Sequence, residues 1–218
     1  HAVAIQGNRI AWCGPAEQTD EPSGPVLGPD GSPSPQVLAL QTATLLPGLI
    51  DCHTHTNMPG DGRRGEDVIS DSDDVRLLRS AKNVERALVS GVTTLCDAGS
   101  WNRTSFSLKE GIRHGLVAGP RVMVAGQPVT VTGGHLWYMG GEADGPEEVR
   151  QRVRTLIKEG ADFIKVIASG GSTVTSDPYR PSLTVEELKV ATSEAHGRNR
   201  PVAAHCRSTV AINNALDA

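Results

Sequence analysis

The chain has 218 residues, of which 38% are hydrophobic and 21% are charged, a balance typical of a folded globular protein. Its formal net charge is −4 and it has no long basic run, so neither nucleic acid nor a membrane is an expected partner. No apolar run reaches the roughly 18 residues that a membrane span needs. The four cysteines are scattered without a CxxC pair, which favours a reducing compartment, and we expect a cytoplasmic protein.

The first 45 residues have the pattern of a small β lobe. The stretch AVAIQGNRIAWCG alternates apolar and polar residues around a Gly-Asn pair and predicts a β-hairpin. Residues 14–36 are rich in Pro, Gly and Ser and predict an exposed loop, and VLALQTATL then predicts another strand. We therefore assign residues 1–45 to part of a small β-sandwich lobe and residues 46–218 to a second, larger domain.

Residues 46–218 alternate between strand and helix patterns about five times. Short apolar runs are followed by amphipathic segments whose starts and stops are marked, as by the capping box at Thr184 and Glu187 and by Gly160 after another helix. This alternation predicts an α/β fold with a parallel sheet. A doubly wound sheet is possible, but no GxGxxG follows a strand, and an eight-fold (β/α)8 barrel needs three more βα units than the five in this chain.

The stretch LLPGLIDCHTHTNMPG contains the first candidate site. Residues two apart in a strand point to the same face, so His53 and His55 should project together from the end of the first barrel-type strand. A single histidine is often a core or surface residue. Two imidazoles at a strand end are typical of a site for zinc or a similar divalent ion.

Two further residues lie at or near the ends of later strands. His205 lies at the end of the strand predicted for PVAAHC, and Lys165 lies within the apolar FIKVIASG, where a charged amine would be costly to bury. Lys165 either reaches solvent from the strand end or is neutral, and a neutral amine can react with carbon dioxide to form a carbamate that bridges two cations. Because the ends of parallel strands meet at one edge, we expect His53, His55, Lys165 and His205 to converge.

Together, LLPGLIDCHTH, GADFIKVIASGG and PVAAHC resemble the amidohydrolase superfamily, and TGGHLWYMGGEADG resembles its imidazolonepropionase and prolidase-like branch. The resemblance implies a distorted TIM barrel with a small β-sandwich lobe, of which only about five βα units are present. It implies that His53 and His55 bind one metal, that carboxylated Lys165 bridges to a second, and that His205 binds the second. Two zinc ions are the expected cofactors.

The family pattern also asks for a further His and a catalytic Asp after later strands. The catalytic residue would lie beyond residue 218, so it cannot be named from this chain. We therefore expect the chain to be a piece of a longer protein and to be inactive by itself.

Two residues are candidates for binding substrate. His135 lies on the Gly-rich loop TGGH and would hydrogen-bond a substrate carbonyl or carboxylate, or else stabilise its own loop. Arg207 follows His205 by two residues and would hold a carboxylate through its bidentate fork, although an exposed arginine without such a role has the same pattern.

The sequence favours a hydrolase that cleaves an amide C–N bond of a dipeptide or N-acyl amino acid by a metal-activated hydroxide. One alternative is an imidazolonepropionase-like hydrolase that opens a cyclic amide with one metal. Another is a non-catalytic, incomplete barrel whose open sheet edges pair with a partner. We expect a small-molecule amide or peptide substrate and a homo-oligomer.

Overall fold

The computed structural model describes residues 2–6, 9–15 and 43–218. The chain divides into two compact units, His1–Leu46 and Pro47–Ala218. The segment predicted as a loop and most of the strand predicted after it, within residues 16–42, lie outside the described residues.

The first unit contains a β-hairpin. Strand β1 (Ala2–Gln6) pairs with β2 (Arg9–Gly14) in an antiparallel ladder. The pairing confirms the hairpin that the alternating pattern predicted.

The second unit alternates strands with helices. Its strands are β3 (Leu49–Thr54), β4 (Val92–Asp97), β5 (Arg121–Val124), β6 (Ile164–Ile167) and β7 (Val202–His205). Its helices are α1 (Asp73–Val89), α2 (Thr104–Arg113), α3 (Gly145–Glu159), α4 (Val185–His196) and α5 (Thr209–Asp217). Two short 3-10 helices, Gly65–Val68 and Trp137–Met139, lie in the connections. These elements confirm the predicted α/β class.

All the strand ladders of the second unit are parallel. Strands β3, β4 and β5 form one sheet in chain order, and β6 pairs with β7 in another. The two sheets are joined at the β5–β6 boundary by Asp162, whose backbone N–H donates to the Val124 carbonyl at 2.8 Å. Within the described residues these strands do not close into a barrel.

Local signals in the sequence explain where the helices begin and end. In α4 the Thr184 hydroxyl accepts from the Glu187 backbone N–H while the Glu187 carboxylate accepts from the Thr184 N–H, which is the predicted capping box. Helix α3 ends at Gly160, which adopts the left-handed conformation that favours glycine. Ser208 caps α5 through the Ala211 N–H.

The main apolar core packs the helices against one face of the strands. Its members are buried aliphatic residues with one aromatic, among them Val84, Leu95, Phe106, Leu156 and Ile164. Side chains alternate between the two faces of a strand. Ile164 and Val166 therefore point to one face of β6, and Lys165, which lies between them in sequence, points to the other. No helix in the described part of the chain is both long enough and apolar enough to cross a membrane.

Candidate active site

The two histidines at the end of β3 lie side by side. His53 is the penultimate residue of β3, and His55 follows directly after the strand. Their ring centroids are 5.4 Å apart. The Nδ1 atom of His55 lies 2.9 Å from the Gly99 carbonyl oxygen, which can only accept, so Nδ1 carries the proton and donates. Burial lowers the pKa of His55 to about 4. His55 is therefore a neutral imidazole whose Nε2 lone pair has no hydrogen-bond donor among the described residues and can bind a ligand.

Lys165 reaches the same place from β6. Lys165 is 3% exposed. Its Nζ lies 3.2 Å from Nε2 of His53, although the two residues are 112 positions apart in sequence. No carboxylate forms a salt bridge with Lys165 in the described part of the chain. Burial lowers the pKa of Lys165 to about 8. Burial of the His53 ring lowers the pKa of His53, and the positive charge of Lys165 lowers it further.

His205 completes the group of four from the end of β7. The ladder places His205 opposite Ile167, just past Lys165, and Nε2 of His205 lies 3.2 Å from the Gly170 carbonyl oxygen. Burial lowers the pKa of His205, and the charges on Lys165 and His53 lower it further. The structure thus brings together all four residues that the sequence singled out as metal ligands; their role as ligands stays a prediction.

His135 borders this group from the loop after β5. It is buried, and its ring centroid is 4.6 Å from that of His205. Its Nδ1 lies 2.8 Å from the hydroxyl of Thr173. Burial lowers the pKa of His135 to about 3, and the His205 charge acts in the same direction. His135 is accordingly a neutral hydrogen-bonding group at neutral pH.

Arg207 is exposed and close enough to act electrostatically on two of the histidines. Its positive charge contributes to the lowered pKa of both His135 and His205. Its backbone N–H donates to the Ser169 hydroxyl at 2.8 Å, which fixes the chain just after β7. The exposed guanidinium is therefore near enough to these histidines to act on them and is accessible to an anion.

Asp97, at the end of β4, supports the site from behind. Its fully buried carboxylate accepts from the Thr56 hydroxyl at 2.5 Å and from the Gly99 N–H at 3.2 Å. Burial raises the pKa of Asp97 to about 6, and these hydrogen bonds oppose the shift. Thr56 follows His55, and Gly99 supplies the carbonyl that His55 contacts. Asp97 thereby binds both chain segments that form the His55 hydrogen bond, the one at Thr56 and the one at Gly99.

Sequence reasoning missed the loop partners of these side chains. Thr173, Gly99 and Gly170 each contact a histidine through a hydroxyl or a backbone carbonyl. A backbone carbonyl leaves no residue-type signal in a sequence, and Thr173 lies in a run of Ser, Thr and Gly that predicts only a loop. Among the described residues, no three His, Cys, Asp or Glu side chains are arranged to hold one ion.

Comparisons with known proteins bear on what these side chains do. Residues 44–218 match the amidohydrolase family. The chain is 33% identical to an ochratoxinase of Aspergillus niger, in an alignment that covers 80% of this chain and 41% of the relative. The solved structure of A. niger ochratoxinase has a TM-score of 0.68 and 30% identity, and covers 78% of this chain and 45% of its own.

Two further solved structures are similar. A Xaa-Pro dipeptidase with methionine bound in its active site has a TM-score of 0.70 and 28% identity, over 78% of this chain and 45% of that one. A prolidase in complex with N-methylphosphonate-L-proline has a TM-score of 0.73 and 26% identity, over 98% of this chain and 53% of that one. The chain therefore spans about half, or less, of the length of the proteins it resembles.

Proposed function

The chain belongs to the amidohydrolase family, and we propose that it supplies the metal-binding and part of the substrate-binding side of a hydrolase that cleaves an amide bond. The observation that carries the proposal is the contact of 3.2 Å between Nζ of Lys165 and Nε2 of His53. A buried amine whose neighbours are imidazoles, with no acid to neutralise it, has no structural role that a smaller apolar residue would not fill better.

The donor set fits divalent cations such as zinc. His53, His55 and His205 offer neutral imidazole nitrogens, and a pKa of about 8 leaves roughly a tenth of Lys165 uncharged at pH 7. The neutral amine adds to carbon dioxide, forming an N–C bond and releasing one proton, and so becomes a carbamate. We propose that His53, His55, His205 and this carbamate would hold the divalent ions, with zinc as the expected metal. Bound ions would lower the pKa of a water molecule and polarise the substrate carbonyl.

His135 and Arg207 suit the substrate end of the site. His135 is neutral and buried, so it offers a hydrogen bond without a charge, whereas Arg207 offers an exposed cation whose charge reaches His135. A neutral donor matches a carbonyl oxygen and a guanidinium matches a carboxylate. His135 and Arg207 therefore favour a substrate in which a carbonyl group and a carboxylate lie within a few bonds of each other.

A dipeptide or an N-acyl amino acid has that combination. The names of the similar proteins agree with it, since a Xaa-Pro dipeptidase and a prolidase are named for cleaving dipeptides. The ochratoxinase is named for a different compound, so the family name by itself does not fix the substrate.

The test is to express the full-length gene product and assay a library of dipeptides and N-acyl amino acids in the presence of zinc. We expect amide cleavage that falls at least 100-fold in His53→Ala. His114→Ala is the matched control, because His114 lies exposed at the end of α2, away from the site, and should retain activity. If no amide in the library is cleaved, or if the two variants behave alike, the proposal is wrong.

A further inference from the structure

A tight turn over residues 55–58 follows β3, and His55 is its first residue. The backbone N–H of Met58 donates to the His55 carbonyl at 3.0 Å and closes the turn. Asn57, the third residue of the turn, is 0% exposed. A buried amide needs hydrogen-bond partners for both its oxygen and its nitrogen, so the partners of Asn57 show what holds the turn in place.

The orientation of the Asn57 amide is set by these partners. The backbone N–H of Trp101 can only donate, and its nitrogen lies 3.1 Å from Oδ1 of Asn57. Nδ2 of Asn57 donates to the Ser80 hydroxyl oxygen at 2.6 Å. The Ser80 hydroxyl donates its own hydrogen to the Arg76 carbonyl at 2.9 Å, so its oxygen is left to accept from Asn57. The amide therefore has a single orientation in this network.

Asn57 thereby links the turn to two neighbouring parts of the fold. Ser80 belongs to α1, whereas Trp101 lies in the loop after β4. The hydroxyl of Thr104, the first residue of α2, also lies 3.0 Å from Oδ1 of Asn57. Each of these three partners is at most 4% exposed. Removing one of them would leave a buried polar group of Asn57 without its partner.

Helix α1 also holds the backbone of the turn. Nδ2 of Asn83 lies 2.9 Å from the carbonyl oxygens of both Thr56 and Met58. The Arg79 guanidinium donates to the Asn57 carbonyl at 3.1 Å. All four backbone carbonyls of the turn thus accept a hydrogen bond, which restricts its movement relative to α1.

These contacts bear on the direction of the His55 ring. The ring contacts the carbonyl of Gly99, which lies two residues before Trp101 in the same loop. The hydrogen bond between Asn57 and Trp101 therefore joins the segment that carries the imidazole to the segment that the imidazole contacts. A shift of the turn relative to this loop would change where the ring of His55 points.

We propose that Asn57 is a positioning residue that holds the turn after β3 against the loop after β4 and so directs the His55 imidazole toward the metal ions of the proposed function. The proposal rests on that function. The amide of Asn57 is occupied by protein partners, so it acts through the backbone of the turn and not on an ion or a substrate.

The test compares two serine variants of the full-length gene product. Ser80→Ala removes the partner of Asn57 on α1 and keeps Asn57 itself. Ser105→Ala is the matched control, because Ser105 is equally buried and its hydroxyl pairs with that of Ser100 at the same 2.6 Å, in a pair that includes no residue of the turn. Both variants lose one buried hydrogen bond, so urea unfolding should show a similar loss of stability.

Metal binding then separates positioning from stability. We expect zinc affinity, measured by competition with a chelator, to fall about threefold in Ser80→Ala and on the order of tenfold in Asn57→Leu, and to stay unchanged in Ser105→Ala. With cobalt in place of zinc, the visible absorption bands report the arrangement of the ligands and should shift in Ser80→Ala and Asn57→Leu only. Ser80→Ala decides the question if Asn57→Leu does not fold.

The outcomes distinguish this proposal from the function on which it rests. If the native protein binds zinc and Ser80→Ala matches Ser105→Ala in zinc affinity and cobalt spectrum, the role of Asn57 is structural only and the proposal is wrong. A native protein that binds neither zinc nor cobalt would overturn the proposed function, and the positioning role of Asn57 with it.

Discussion

Lys165 and Glu194 are both nearly buried, yet their surroundings differ completely. Lys165 is 3% exposed and has an imidazole as its neighbour, whereas Glu194 is 8% exposed and forms ion pairs with Arg150, Arg154 and Arg198. Burial lowers the pKa of Lys165 to about 8, toward its neutral form. Hydrogen bonds from the three arginines, of which that from Arg154 has the largest effect, lower the pKa of Glu194 to about 2 and so favour its charged form.

The fold compensates the buried negative charge of Glu194 with arginines, whereas the buried amine of Lys165 has an imidazole beside it instead of an acid. Glu194 joins α3 to α4 through charged hydrogen bonds, so its burial is explained by the helix packing. Lys165 makes no such link to any residue that the structure describes, and its amine lies against His53. An uncompensated buried charge weakens the fold, and a functional site is the usual reason for its presence.

The sharpest way to break this comparison is to remove the Lys165 amine. Lys165→Met should raise the free energy of unfolding of the metal-free protein by about 1–3 kcal/mol at pH 7, because the cost of burying the charge disappears. In the native protein the folded pKa of Lys165 lies below the unfolded one, so the unfolded state binds more protons between about pH 8 and 10.5 and stability should rise with pH in that window. The variant should lack that rise, as measured by urea unfolding at several pH values.

The same variant should also lose its metal. With zinc and bicarbonate supplied, we expect zinc content to fall more than tenfold, and the ¹³C NMR signal of a carbamate formed from labelled bicarbonate to disappear. Lys109→Met is the control, since Lys109 forms an ion pair with Asp162 and should keep both. Full zinc content in Lys165→Met would refute a bridging role for Lys165.

Asp97 is an intermediate case: its buried carboxylate accepts hydrogen bonds but pairs with no cation in the described part of the chain. Asp97→Asn should reduce zinc affinity about tenfold, because the amide cannot accept from both the Thr56 hydroxyl and the Gly99 N–H as the carboxylate does. The His55–Gly99 hydrogen bond should loosen, which the His55 Nδ1–H signal in ¹H NMR would report. An unchanged signal with unchanged zinc affinity would limit Asp97 to a structural role.

Removing Glu194 should act in the opposite direction to removing Lys165. Glu194→Gln should lower the free energy of unfolding by about 1–2 kcal/mol at pH 7, a value reduced by the solvent exposure of the arginines. The folded pKa of Glu194 lies below the unfolded one, so this stability should be present above about pH 4.5 and lost as pH falls toward 2. Urea unfolding of both proteins at pH 7 and pH 3 measures the difference. A constant difference across that range would mean that packing, not charge, explains it.

The parts of this picture that the sequence predicted are those set by local signals or by strand periodicity. The capping box at Thr184 and the glycine stop at Gly160 depend on neighbouring residues only, and both are confirmed. The approach of His53 and Lys165 followed from the rule that parallel strands end at one edge. The contacts of Thr173 and Asp97 depend on how loops from different strands meet, and no local pattern encodes that geometry.

The smallest effect that we predict concerns Glu187, a second buried acid that is compensated, here by neutral donors. Its carboxylate accepts from the Thr184 N–H and hydroxyl and from the Gly145 N–H at the start of α3. Thr184→Ala removes one of these donors and the cap of α4, and should lower the free energy of unfolding by about 1 kcal/mol, whereas Thr184→Ser keeps the hydroxyl and should lose only a few tenths. Because Glu187 keeps its two backbone donors in either variant, its carboxylate stays compensated and zinc content should not change. A Thr184→Ala protein that lost zinc would show that compensation on the helix side and the site on the strand side are coupled, and the separation drawn between Lys165 and Glu194 would then fail.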